Sequence, residues 1–227
     1  DAKVDQMVRI IQYLKTLPVK TVSIDKVEAD DIIAYLSKSV IKHPKDKSFI
    51  ISSDKDFLQL VSENVVVYRP MEKEYYTPKT VMDKYKMSPH NFILHKTLLG
   101  DNSDKIKGVK GLGEKGLLKK FPELVEKDMN WDDILNICEN KISDHVVYAR
   151  IIHGQDDLEK NYKIMDLSNP MLSKKDKEYL DKIVEANDLS YYPDQFVAMY
   201  NEDQIGGLIR NVEFWVKDCF QNLVIKK

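Results

Sequence analysis

Apolar residues recur at helical spacing at the start of the chain. Val4, Met7, Val8, Ile11, Leu14 and Leu17 fall on one face and Pro18 ends the run, which predicts an amphipathic helix over 4–17. KTVSI (20–24), rich in β-branched residues, reads as a short strand. VEADD (27–31) then leads into an apolar helix carrying Ile32, Ile33, Leu36 and Val40. The order repeats at once: SFIIS (48–52) is strand-like, SDKD (53–56) is acidic and FLQLV is helical. Val65–Tyr68 predicts a third strand, Tyr75–Thr77 a partner or short arm, and 78–87 a helix. Ser88–Pro89 reads as an N-cap followed by proline at the first helical position, opening HNFILHKTLLG. Segments 122–141, 143–163, 173–187 and 203–222 carry amphipathic periodicity, with Ser173 and Asp176 as an imperfect cap. The pattern predicts an α/β fold: a parallel-sheet core followed by a helical C-terminal part.

Strands joined by helical crossovers run parallel and bring their carboxyl ends to one sheet edge, where open α/β sheets bind ligands. Glu28, Asp30 and Asp31 are therefore expected beside Asp54 and Asp56. Asp101 and Asp104 follow the 88–99 helix on its C-terminal side, where carboxylates face the negative end of the helix dipole unless a cation offsets it. Two unit charges about 4 Å apart repel by roughly 4 kcal/mol at an effective dielectric near 20. An acid cluster of this size therefore calls for protonation or bridging cations, and all-oxygen donors favour hard ions such as Mg²⁺ or Mn²⁺. Singly, each acid has an ordinary structural alternative: Asp54 as a helix cap, Glu28 as a first-turn residue.

The stretch GDNSDKIKGVKGLGEKGLLKKF (100–121) sorts its charges, with Asp101 and Asp104 first and then lysines among glycines. Gly108, Gly111 and Gly113 permit a tight turn with backbone N–H groups free for a phosphate, ahead of a helix starting near Glu114. Lys115 and Lys119, at i and i+4, share a helical face, and Lys107 and Lys110 add charge to the turn. This is a helix-hairpin-helix signature over 105–121; its plain alternative is a Gly-rich loop with a solvated lysine face.

Composition narrows the rest. The 227 residues, 43% of them hydrophobic, suffice for one large or two modest domains. The pattern divides them into an acidic core over 1–104 and a helical DNA-binding part over 105–227. With a net charge of −2, any nucleic-acid face is a local concentration of lysine. Cys138 and Cys219 fit no metal spacing and no disulfide, as in a reducing compartment. His43, His90, His95, His145 and His153 form no paired-ligand spacing and read as structural or surface residues. The lack of an apolar run of membrane length and of a signal-peptide pattern predicts a soluble, cytoplasmic protein, in the host cytoplasm if phage-encoded. The helix over 203–222 is broad enough in its apolar face for core packing or for a partner.

VEADD, ISSDKD, the GDNSDKI block and GVKGLGEKG, in this order and spacing, resemble the 5′-nuclease family: flap endonucleases and 5′→3′ exonucleases, particularly the small phage type also called ribonuclease H. The likeness runs from about residue 20 to 125. It implies hydrolysis of phosphodiesters at 5′ flaps, nicks or RNA primers in DNA replication or repair, by two divalent ions held in a carboxylate set. By position, Glu28, Asp30 and Asp31 match the family's first acidic cluster, Asp54 and Asp56 the second, and Asp101 and Asp104 the third. The resemblance also implies a K⁺ ion in the hairpin 108–113, and contacts to branched or nicked duplex DNA, RNA/DNA hybrid and replication proteins. The family's aspartates on a first strand and before a helical arch, and the arch itself, have no counterpart here. The chain is accordingly expected to be the C-terminal portion of a larger nuclease, completed by a separate N-terminal segment. A branched-DNA-binding fragment inactive alone and a PIN-like ribonuclease are the alternatives; PIN domains normally lack the helix-hairpin-helix.

Overall fold

The computed structural model describes residues 1–186 and 189–224, and the end of the predicted 173–187 helix falls outside them. The chain separates into two compact units, Asp1–Asp25 with Glu178–Lys227, and Lys26–Lys177. The boundary expected at 104/105 falls inside the second.

The chain begins with α1 (Ala2–Thr16), capped by the Asp1 side chain, which accepts from Lys3 N–H. Residues 20–24 are not a strand: β-branched residues favour a strand only where a neighbouring edge supplies hydrogen bonds, and among the described residues the sheets contain no partner for this segment. The second unit opens with α2 (Ala29–Ser39), β1 (Ser48–Ile51), β2 (Val65–Arg69) and β3 (Glu74–Tyr76). β1 and β2 are parallel, with Ser48 opposite Val65 and Ile51 opposite Tyr68; β3 turns back antiparallel to β2. The crossover from β1 to β2, where FLQLV is expected to be helical, is a 3₁₀ helix (Asp56–Leu60). Its Phe57, Leu58 and Leu60 are buried, together with Ile50, Val65, Val67 and Tyr76 of the sheet.

α3 (Pro78–Tyr85) starts at Thr77, whose hydroxyl accepts from Thr80 N–H. Ser88 caps a short 3₁₀ turn that runs into α4 (Phe92–Leu99), a helix apolar almost all round and largely buried. Gly100, at φ +80°, swings the chain out of α4 into a two-stranded hairpin, β4 (Gly100–Asp101) with β5 (Ile106–Lys107). α5 (Glu114–Lys120), α6 (Glu123–Glu126), α7 (Trp131–Asn140), α8 (Val146–His153) and α9 (Gln155–Met165) follow. The predicted runs 122–141 and 143–163 are each broken in two; the second break is at Gly154, and α7 has its own start, a capping box between Asn130 and Asp133. These helices enclose a core containing Leu98, Leu117, Phe121, Leu124, Ile134 and Ile151.

α10 (Lys174–Glu185) has Ser173 and Asp176 exchanging hydrogen bonds at its start, a complete version of the cap read as imperfect. The helix expected over 203–222 forms only from Val212, as α12 (Val212–Val224), and α11 (Pro193–Glu202), which the sequence reading did not include, precedes it. Gly207, at φ +92°, and Gln204, at φ 52°, lie in the turn between them, a conformation that a continuous helix does not allow. In the first unit α1 packs on α11: Arg9 pairs with Glu202 and Asp203, and the Tyr13 hydroxyl donates to Asp203 at 2.8 Å. Leu17, Phe196, Tyr200 and Val216 form its small core, while Phe214 and Leu208 of the expected apolar face are exposed. Among the described residues no helix is long and apolar enough to cross a membrane.

Candidate active site

Three loops of the second unit carry the seven acids. Glu28, Asp30 and Asp31 lie at the start of α2, with Glu28 at its N-cap position and making no capping hydrogen bond. Asp54 and Asp56 lie where β1 passes into the 3₁₀ crossover, and the Asp54 carboxylate accepts from Asp56 N–H at 2.9 Å. Asp101 and Asp104 are carried by the β4–β5 hairpin, not by the last turn of a helix, because Gly100 redirects the chain before them. Asp101 is further fixed by the Ser103 N–H and hydroxyl, which both donate to its Oδ1.

The expected convergence takes the form of two adjoining clefts that share Asp56. One, of about 630 Å³, is lined by Asp54, Asp56 and Asp101 together with Lys96, His95 and Ser103. The other, of about 610 Å³, is lined by Glu28, Asp30, Asp31, Asp56 and Asp104. Carboxylate oxygens of Asp56, Asp101 and Asp104 come within 4.8 Å of one another. Like charges about 5 Å apart repel by roughly 3 kcal/mol at an effective dielectric near 20. The strain shows in Asp30: burial, and then the carboxylates of Asp54, Glu28, Asp31 and Asp104, push its proton affinity above the usual carboxylate range. Asp31 is partly committed elsewhere, its Oδ1 accepting from Met171 N–H at 2.7 Å.

One cation sits among these acids that motif reading missed. Lys96 of α4 ion-pairs with Asp56 and lies 2.6 Å from Asp101 Oδ2. Burial alone raises the Asp101 carboxyl, but Lys96 and the two Ser103 hydrogen bonds outweigh it and hold Asp101 well below the ordinary range. The signal was present: a lysine inside FILHKTLL, a helix otherwise apolar enough to be buried. His95 also lines the first cleft rather than standing apart from it. Its ring stacks on Phe92 at 5.3 Å, its Nδ1 is buried without a hydrogen-bond partner among the described residues, and burial lowers its proton affinity.

The acids present hard oxygen donors from independent loops at a spacing one cation can span, and a buried ammonium already stands between two of them. By donor chemistry and geometry the cluster fits divalent metal. Its best-formed part is Asp56, Asp101 and Asp104.

The glycine stretch folds as a turn between β5 and α5. Leu112 N–H donates to Val109 C=O at 3.0 Å with Gly111 at φ +83°, the arrangement of a turn whose third residue must be left-handed. Gly113 is different: its φ is −121° and a side chain there would meet nothing within 4 Å, so positive φ is required at Gly111 and not at Gly113. Gly108 is needed for close approach, since a Cβ on it would lie 2.1 Å from the Leu99 carbonyl carbon. Val109 N–H is tied to Leu98 C=O at 2.8 Å, so not every amide of the turn is open. Lys107, Lys110, Lys115 and Lys119 are exposed. Arg150 of α8, which sequence reading passed over, donates to Lys110 C=O at 2.7 Å and braces the turn.

The family model described as "5'-3' exonuclease, N-terminal resolvase-like domain" matches residues 2–86. A 5'-3' exonuclease of Aquifex aeolicus is 34% identical over 161 residues, covering 70% of this chain and 51% of that protein. DNA polymerase I of Bacillus subtilis is 38% identical over 130 residues, 54% of this chain and 14% of the polymerase. Among solved structures, a bacteriophage T5 flap endonuclease in a pseudo-enzyme–product complex with DNA and metal ions superposes with a TM-score of 0.60 at 23% identity, covering 73% of this chain and 63% of that one. A T5 5'-exonuclease with bound zinc gives 0.60 at 24% identity, over 72% and 61%; these two likenesses establish the mixed α/β fold. The chain spans about half the length of the 5'-3' exonucleases it matches. With acid-bearing loops meeting at Asp56 beside a glycine turn, these likenesses in sequence and fold support a 5′-nuclease family for the chain.

Proposed function

We propose that this chain carries the metal centre and duplex grip of a structure-specific 5′ nuclease that hydrolyses phosphodiester bonds at 5′ flaps, nicks or RNA primers. The observation that carries the reading is the meeting of Asp56, Asp101 and Asp104 oxygens within 4.8 Å, with Glu28, Asp30, Asp31 and Asp54 on the walls of the same two clefts. Asp56, Asp101 and Asp104 would hold one ion, and Asp30, Asp54 and Glu28 would extend the set to a second, with Mg²⁺ or Mn²⁺ as the hard cations such donors select. Bound divalent ions supply the charge that activates water and stabilises the leaving oxygen. The protein's part is to hold the carboxylates in place: Ser103 fixes Asp101, and Asp54 is locked to Asp56 N–H.

Residues 105–121 would grip the duplex. The Gly111 turn and Lys107, Lys110, Lys115 and Lys119 make a phosphate-backbone contact that reads no base, with Gly108 and Gly113 keeping the backbone close to the strand. A K⁺ ion at 108–113 fits the same role. In this reading the acids up to residue 104 do chemistry and the part after it holds DNA, a division of labour distinct from the division into compact units.

The test is a 5′-labelled flap duplex, a nicked duplex and an RNA/DNA hybrid, each incubated with the chain and Mg²⁺ or Mn²⁺, beside a binding measurement on the same substrates. Metal-dependent cleavage at the junction, lost in Asp101→Asn with binding retained, supports the proposal. Binding with no metal-dependent cleavage by this chain would leave it as a branched-DNA binding module, and no binding preference for duplex over buffer-exchanged control would remove the hairpin from the account.

A further inference from the structure

Lys96 is 6% exposed, on a helix turn whose neighbours Phe92, Ile93, Thr97 and Leu98 are buried. Desolvating an ammonium is costly unless it is paired. Its partners are Asp56 and Asp101, two of the three acids that converge within 4.8 Å. The chain thus places its own cation where a divalent ion ligated by Asp56 Oδ1 and Asp101 Oδ2 would sit. Both cations cannot occupy that point, because an ammonium in contact with the two oxygens fills the space between them and repels a second positive charge. The lysine has somewhere to go: it lines a cleft of about 630 Å³ whose wall also carries Asp54, Asn102 and Ser103, and its stem is a flexible four-carbon chain.

We propose that Lys96 is a tethered counter-ion that occupies the Asp56–Asp101 side of the cluster when metal is absent and is displaced into the adjoining cleft when a divalent ion binds. The inference rests on the metal reading of these acids. It makes Lys96 a positioning residue that keeps the empty cluster from flying apart and, by competing, sets how tightly the cluster takes metal. A lysine that merely joins α4 to its neighbouring loops would have neither property.

The experiment titrates the parent chain, Lys96→Met, Lys96→Arg and Asp101→Asn with Mn²⁺, following free Mn²⁺ by electron paramagnetic resonance, with circular-dichroism melts of each. Lys96→Met is expected to melt lower than the parent without metal yet bind Mn²⁺ at least about ten-fold tighter, since a unit charge a few ångströms away weighs heavily against a second cation. Lys96→Arg, which keeps the charge, should bind no tighter than the parent. A folded Lys96→Met with unchanged or weaker Mn²⁺ affinity overturns the proposal. A second measurement needs no variant: acetic anhydride labelling of the parent, read at Lys96 by mass spectrometry, should rise when Mn²⁺ is added, and labelling that stays flat or falls overturns it. If the parent and Asp101→Asn bind Mn²⁺ equally, the metal reading itself fails, a result distinct from either of these.

Discussion

Gly108→Ala tests how the acidic hairpin and the phosphate turn are joined. A methyl group built on Gly108 would sit 2.1 Å from the Leu99 carbonyl carbon, 2.2 Å from its oxygen and 2.5 Å from Gly100 N. Ordinary contact begins above 3.4 Å, so β5 must move more than an ångström from the end of α4, and all the obstructing atoms are backbone. That displacement strains or breaks the 2.8 Å Val109–Leu98 hydrogen bond, worth about 1 kcal/mol, on top of about 1–3 kcal/mol for overpacking. A total near 3 kcal/mol corresponds to a fall of roughly 6–12 °C in Tm for a domain of this size. Because the shifted strand carries the register that sets Asp101 opposite Ile106, Mn²⁺ affinity should drop together with stability. The control is Gly113→Ala, where a Cβ meets nothing within 4 Å and φ is −121°; its melt and its Mn²⁺ affinity should match the parent. Calorimetry on both variants, with Mn²⁺ titrations, decides the matter. A Gly108→Ala protein melting within about 2 °C of the parent, against the loss worked out above, would falsify the claim that this close approach organises the site.

Lys115→Ala should weaken binding about equally on unrelated duplex sequences and lower the slope of log K against log salt by about one; an unchanged slope takes Lys115 off the list of phosphate contacts. His95 gives a pH dependence: burial lowers its folded-state pKa from 6.5, so the unfolded chain takes up the proton first, and stability is complete above 6.5 and declines as pH falls below it. His95→Gln should therefore flatten the melting temperature between about pH 7.5 and 5.5, and a variant keeping the parent's full decline would show that other groups cause it. Asp30 has the opposite linkage for an acid. Its raised pKa means that stability is lost as pH climbs past 3.8 toward the folded value, so Asp30→Asn should raise the metal-free melting temperature at neutral pH and give no gain at pH 3. No gain at neutral pH would mean that the crowding of Asp30 is relieved by solvent.

The sequence by itself determined the local elements whose cause is local. Pro18 closes α1, Thr77 and Pro78 open α3, and Gly111 imposes its turn, because caps, proline and left-handed glycine act over a few residues. It also picked out the acids and lysines as candidates, since carboxylate chemistry and charge sorting are properties of residue type and spacing. The tertiary structure decided what depends on partners far along the chain. KTVSI has strand propensity and no ladder to join, so it is not a strand. FLQLV tightens into a 3₁₀ crossover because Phe57, Leu58 and Leu60 are held against the sheet. The two clefts meet at Asp56, and Lys96, a single charge in an apolar helix, turns out to face Asp56 and Asp101, which lie 40 and 5 residues away. Periodicity tells which face of a helix is apolar. Which carboxylates an inward-facing lysine meets is fixed only when α4, the crossover and the β4–β5 hairpin pack together and exclude the water that would otherwise have solvated that charge.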